Sequence, residues 1–460
     1  MRVRPFIATG AVLVFGIVGG AAPAHAANDG SSACGVKMFA ARAGGGLPTV
    51  SVPGHGYAFN TVASAPYRTS YPLAGPYSYN SAGGANTAVH WDKGSYGVCF
   101  GGLVAAGTVL VTAVSDDRPD LYCTVASWSV RPEGTAVEVR CFDGAGGRAD
   151  ARFTVSATGS ADPPAGAYLL ADQPTAAAYT PALPHQYNST GAANTVERFG
   201  VGFYVASLPG LAATAGHVQV TGYGDTGLWC KVGGWGPSPW DPGAQLAFVH
   251  CHTAAGTLAD APFTLTYVRD ADVLLAPSGV HGYGYAWADD PLSGGYAPSP
   301  TYTTGAWTGR YKVHFPLDLD RGLVHVTAYG FGDERCAIAT WSTAGGVVVN
   351  CWSPAGGPAD AQYDVAFVHD YRPAPATARR LPSRMRIPAM SCAPARHRST
   401  GSGRVVVPFA LRAPQAVAGE EHAAQLIGTT RPVWTIWSSA PSSAACDVSG
   451  PWRRRCVSPR

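Results

Sequence analysis

Gly94-Ser95-Tyr96-Gly97-Val98-Cys99-Phe100-Gly101-Gly102-Leu103 aligns without a gap on Gly202-Phe203-Tyr204-Val205-Ala206-Ser207-Leu208-Pro209-Gly210-Leu211, and again on Gly309-Arg310-Tyr311-Lys312-Val313-His314-Phe315-Pro316. The spacing is 108 and then 107 residues. Three further blocks follow in the same order. The second is Val109-Leu110-Val111-Thr112, Val218-Gln219-Val220-Thr221-Gly222-Tyr223-Gly224 and Val324-His325-Val326-Thr327-Ala328-Tyr329-Gly330. The third has Cys, then Val or Ile, then Trp: Cys123 to Trp128, Cys230 to Trp235 and Cys336 to Trp341. The fourth joins a Cys to an Ala-Asp-Ala run, from Cys141, Cys251 and Cys351 to Phe153, Phe263 and Tyr363. One message is written three times, which is the mark of a repeat architecture.

Within each block the apolar residues alternate, as in Tyr96, Val98, Phe100 and in Val137, Val139, Cys141. Period two in β-branched and aromatic residues predicts half-buried strands. Six or seven short strands per copy, separated by Gly, Pro, Asn and Asp, predict an all-β chain of three tandem antiparallel sandwich units. Their expected bounds are 55–162, 163–272 and 273–370, with Asp162-Pro163-Pro164-Ala165-Gly166 and Ala276-Pro277-Ser278-Gly279 as joints. The composition agrees. Only 13% of the 460 residues are charged against 46% hydrophobic, with 57 Gly and 37 Pro. That balance excludes ordinary disorder and charge-rich coiled coils.

The blocks Gly-x-Tyr-x-Val-x-Phe, Val-x-Val-Thr-Ala-Tyr-Gly, Cys-x-Val-x-x-Trp and Cys with Ala-Asp-Ala resemble tandem β modules of secreted proteins from high-GC, actinobacterial-type bacteria. The resemblance covers about residues 55–370 and implies no activity.

Paired cysteines 15 to 21 residues apart, with a turn such as Thr343-Ala344-Gly345-Gly346 between them, predict a hairpin staple in each copy: Cys123 with Cys141, Cys230 with Cys251, and Cys336 with Cys351. Closing such a loop stabilises by ~3 kcal/mol in the chain-entropy model. Cys34 and Cys99 have no counterparts and are candidates to pair with each other; Cys392, Cys446 and Cys456 stay unassigned. Disulfides imply an oxidising compartment. So does the start of the chain, where Arg2 and Arg4, an apolar run from Phe6 to Val18, and Ala24-His25-Ala26 read as a signal peptide over 1–26. Residues 27–54 would form an N-terminal segment. Secretion without a membrane span is the expectation.

Counted from each Cys, strict alternation turns Trp128, Trp235 and Trp341 outward, beside Glu138 and Arg140, Phe248 and His250, or Val348 and Asn350. The three Trp are therefore the candidate binding residues, for a glycan or a protein surface. The competing reading is that a bulge turns each ring inward, or that the ring packs against the neighbouring copy or an unassigned loop. Asp150, Asp260 and Asp360 read as structural, because no second carboxylate or His repeats beside them. His250 and His252, at i and i+2, have zinc-compatible spacing in one copy only. Loop acids at Asp116, Asp117, Asp225, Asp333 and Glu334 lack a calcium pattern. No catalytic residue, metal or cofactor is assigned, and no nucleic-acid partner is expected for the repeats. Function thus reads as noncatalytic extracellular binding, with a hydrolase or metal-dependent enzyme built on divergent loops, or a structural envelope role, as alternatives.

Residues 371–460 break the pattern. They hold 14 Arg, no Lys and 3 acidic residues, and read as a disordered basic tail or a frameshifted fourth copy.

Overall fold

The computed structural model describes Cys34 and residues 54–116, 120–159, 165–288 and 302–370. The signal peptide, most of 27–54, Asp117, Asp162 to Pro164 and the 371–460 tail lie outside the described residues. The described chain is all-β, in several sheets, and contains no helix.

Each copy contributes an inner and an outer set of antiparallel strands. In the first copy the inner order is Ser78–Asn80, His55–Asn60, Arg152–Thr158, Thr108–Val114. The outer order is Ser70–Pro72, Asn86–Asp92, Ser95–Gly101, Gly134–Asp143, Leu121–Arg131. The second copy repeats this with Gly166–Ala171, Phe263–Val268 and His217–Gly222 inside and Phe203–Pro209, Ala244–His252 and Trp229–Pro237 outside. The third does so with His281–Ala288, Gln362–Asp370 and Leu323–Tyr329 inside and Arg310–His314, Gly346–Trp352 and Arg335–Ser342 outside.

The sheets do not stop where the copies do, and this departs from the expected string of separate sandwiches. The outer Cys strand of each copy meets the inner sheet of another through a parallel bridge. Val125 pairs with Tyr223, Val232 with Tyr329, and Ile338 with Val114. The links run first copy to second, second to third, and third back to first, so the copies close a ring. Two eight-stranded sheets each join strands of two copies. Three apolar cores still follow the copies, around Phe153, Phe263 and Tyr363. A fourth is shared, with Tyr57, Tyr168, Leu274 and Tyr285 drawn from all three.

Where the inner strands meet at the ring centre the contacts are polar. Thr154 Oγ1 donates to the Val324 carbonyl and Thr264 Oγ1 to the Val109 carbonyl, each at 2.8 Å, while Thr221 Oγ1 donates to Val111. A hydroxyl one residue after the Phe of the fourth block thus ties one copy to the next. Such groups tolerate burial because each finds a partner.

The cysteines lie at directly opposed positions of their hairpins. Cys123 and Cys141, Cys230 and Cys251, and Cys336 and Cys351 are bonded, with Cα atoms 4.0, 4.0 and 4.1 Å apart. Cys34 is bonded to Cys99.

Candidate binding surface

Most of the repeated residues are used by the scaffold itself. Gly94, Gly202 and Gly309 have φ of +61°, +65° and +65°. Their carbonyls accept the N–H of Cys141, Cys251 and Cys351, and their own N–H groups donate to Asp150, Asp260 and Asp360 at 2.7 to 2.8 Å. The Tyr two residues on completes the clasp, its hydroxyl accepting the N–H of Ala151, Ala261 or Ala361. Around this constant frame the copies differ: His90 Nε2 lies 3.0 Å from Asp150 and Arg198 grips Asp260 through two nitrogens, while the frame's own Tyr204 and Tyr311 donate to Asp260 and Asp360. The arrangement fastens block one to block four.

The Trp rings do not form the outward platform that strict alternation implies. Each strand carries a bulge between the Cys and the Trp, at Val125/Ser127, Val232/Gly234 and Ile338/Thr340. The extra residue flips the parity that follows. Trp128 therefore comes opposite the buried Val137, Trp235 opposite Ala247 and Trp341 opposite Val347. Each ring then packs across a copy boundary. Trp128 meets Tyr223 and His185, Trp235 meets Tyr329 and Trp287, and Trp341, only 6% exposed, meets Phe59 and Tyr77. Trp128 Nε1 also donates to the Ala106 carbonyl.

A surface not required by the scaffold must be sought where the copies differ. Phe203 occupies the place of Ser95 and Arg310, and Phe248 that of Glu138 and Val348. His250 stands for Arg140 and Asn350, and Phe331 for Asp116 and Asp225. These four side chains adjoin on the outer sheet of the second copy and the neighbouring loop of the third. Phe203 lies 4.8 Å from His250 and 6.3 Å from Phe248; His250 lies 5.1 Å from Phe331; and Phe199 extends the row at 5.8 Å from Phe203. Phe199 is 47% and Phe331 61% exposed. Single exposed apolar side chains mean little, but a contiguous row marks a contact site.

The electrostatics keep this row apolar. Burial, with help from His252 and Lys231, holds His250 down to about 4, so the ring is neutral at physiological pH. Lys231 is fully buried below, its Nζ donating to the Gly332 carbonyl at 3.0 Å and lying 3.5 Å from Glu334. Burial lowers its pKa to about 8 although Glu334 opposes the shift.

In the zinc-compatible pair His252 is engaged through one nitrogen, while His250 Nδ1 and His252 Nε2 have no hydrogen-bond partner among the described residues. His252 stacks on Trp229 and its Nδ1 contacts the Gly256 carbonyl, with its ring centre 6.3 Å from that of His250. Among the described residues no group of three metal donors converges.

Elsewhere, His281 Nδ1 lies 3.0 Å from Asp272 Oδ2, while His281 Nε2 has no hydrogen-bond partner. Both residues line a cavity of about 120 Å³ with Ser278, another feature of one copy only. Alternation misses this cluster because Asp272 sits in a loop. The aromatic row was partly visible, since Phe248 and His250 fall on outward parity. Compared with family models, curated proteins and solved structures, the chain matches none of them.

Proposed function

We propose that the protein is a noncatalytic extracellular binding protein whose contact surface is the row Phe199, Phe203, Phe248, His250 and Phe331. The observation that carries this reading is that polar residues of both other copies, Ser95 and Arg310 at one position and Asp116 and Asp225 at another, are replaced by Phe203 and Phe331, which join Phe199 and Phe248 in one row. Four disulfides support an oxidising, extracellular setting. Phenylalanine brings contact area without a hydrogen-bonding tip, which favours an apolar protein surface over a sugar face.

The test is a double substitution, Phe199→Ala with Phe331→Ala, compared with wild type on immobilised envelope proteins and cell-wall glycans. Both side chains are exposed, so the fold should be unchanged by circular dichroism. Retention is expected to fall at least about tenfold, the scale of losing an aromatic anchor. Undiminished retention by the folded variant would remove the surface from consideration. Alanine at the three Trp would not serve, because it would unpack the copy boundaries.

A second reading, a hydrolase, rests on Asp272, His281 and Ser278 around one cavity. Labelling of wild type but not of a Ser278→Ala variant by a serine-reactive fluorophosphonate would establish it in place of the first; an unlabelled wild type would end it.

A further inference from the structure

We propose that acidification opens the ring at the junction between the third and first copies. The first copy adjoins the second in sequence, and the second adjoins the third. The third meets the first without a chain connection, so within residues 55–370 this junction alone is held only by noncovalent contacts.

Buried imidazoles collect there from both sides. His325 of the third copy reaches across with Nδ1 3.1 Å from Thr112 Oγ1 and Nε2 2.9 Å from Ser156 Oγ, both in the first copy. His55 of the first copy packs edge-on against His281 of the third, ring centres 4.8 Å apart, with Tyr79 beside both. The exposures of His325, His55 and His281 are 1%, 6% and 7%. Among the described residues neither His55 Nε2 nor His281 Nε2 has a hydrogen-bond partner.

Nearby acids offset protonation only in part: Asp272 acts to raise His55, but burial and His281 outweigh it. Asp272 accepts the N–H of Leu274 and Ala276 as well as facing His281, and Asp370 accepts from Tyr57. Asp364, two positions along the same face from the cross-strand partner of His325, is buried, and that burial raises its pKa well above the ordinary carboxylate value. His217 and His369 add further imidazoles, the first close enough to be disfavoured electrostatically by His325. Arg335 and Asp120 bridge the same junction, and that pair is already neutralised.

Burial lowers His325 to about 3; burial and then His281 lower His55 to about 4. An exposed imidazole titrates near 6.5. Stability held by the neutral form is therefore complete above about pH 6.5 and is lost as the pH falls toward 4. Each histidine freed by opening multiplies the open population roughly 20-fold between pH 7 and pH 5. The first-to-second junction has a half-buried His185 in the corresponding role, so it should respond less.

The ring supplies its own control. Ser115 N–H donates to the Ile338 carbonyl at 2.8 Å across the proposed junction, and Gly224 N–H donates to the Val125 carbonyl at 2.8 Å across the first-to-second one. Hydrogen exchange at these two amides, corrected for intrinsic rates, should show the Ser115 to Gly224 ratio rising roughly 20-fold or more from pH 7 to pH 5. A constant ratio, whether both amides accelerate together or neither does, would overturn the proposal. A His325→Asn variant should show a rise in the ratio smaller by roughly 20-fold than wild type, whatever its stability. If that variant does not fold, the wild-type ratio decides alone.

Discussion

Replacing Gly309 by alanine is expected to cost about 4 kcal/mol, several times the effect of the same substitution at Gly191. Both glycines have positive φ, +65° and +80°, and both variants therefore carry the left-handed penalty of roughly 1–2 kcal/mol. Their surroundings differ. At Gly191 an added Cβ meets nothing within 4 Å. At Gly309 it would stand 2.5 Å from the Cys351 carbonyl oxygen and 2.7 Å from the Ala359 nitrogen, both backbone atoms. To make room, the clasp must give up bonds such as Cys351 N–H to Gly309 and Gly309 N–H to Asp360, each worth about 1 kcal/mol net. Urea unfolding midpoints at equal slope would measure the difference. Equal costs at the two sites would show that the clasp does not hold the hairpin, and that Asp360 recurs in all copies for another reason.

Of that clasp the sequence showed only that the repeated Asp is structural; its partner Gly lies 51 to 58 residues earlier, in block one, and no local pattern names it. Period-two alternation located the strands, and the spacing of Cys230 and Cys251 described a hairpin. The placement of the Trp was not legible. One inserted residue reverses side-chain parity, and Ala126, Gly233 or Ala339 at that point looks like any small strand residue. Ring closure was hidden for a related reason. It depends on single bridges such as Val125 with Tyr223, which leave no periodic trace. Even so, Tyr223 and Tyr329 of block two and Trp128 and Trp235 of block three recur because they meet across copies. In the first copy Val114 replaces that Tyr, and Trp341 turns to Phe59 and Tyr77 instead. Repetition therefore marked what assembles the ring, and the contact surface had to be sought in what the copies do not share.

At the ring centre the same comparison gives the second large effect, of opposite sign: an Asp364→Thr variant should be more stable than wild type at pH 7, by about 3 kcal/mol. Thr154 and Thr264 hold the equivalent positions and donate to carbonyls of neighbouring copies. Asp364 is fully buried, and among the described residues neither carboxyl oxygen has a hydrogen-bond partner. A carboxylate there would hold negative charge away from water and without a donor, so burial raises its pKa well above the ordinary value. The unfolded chain ionises this group near pH 4, while burial shifts the folded chain's ionisation to higher pH. The penalty on folding is consequently absent below about pH 4 and grows as the pH rises from there toward the folded pKa. Threonine removes the titration and restores a hydroxyl donor. The stability difference between variant and wild type should widen from pH 4 to pH 7, the reverse of the acid loss expected from His55 and His325. A carboxylic-acid carbonyl band in the infrared spectrum of folded wild type at pH 7, missing from the variant, would identify the proton directly. A variant less stable than wild type at pH 7, with a difference that does not vary with pH, would show instead that Asp364 is ionised and satisfied in the fold.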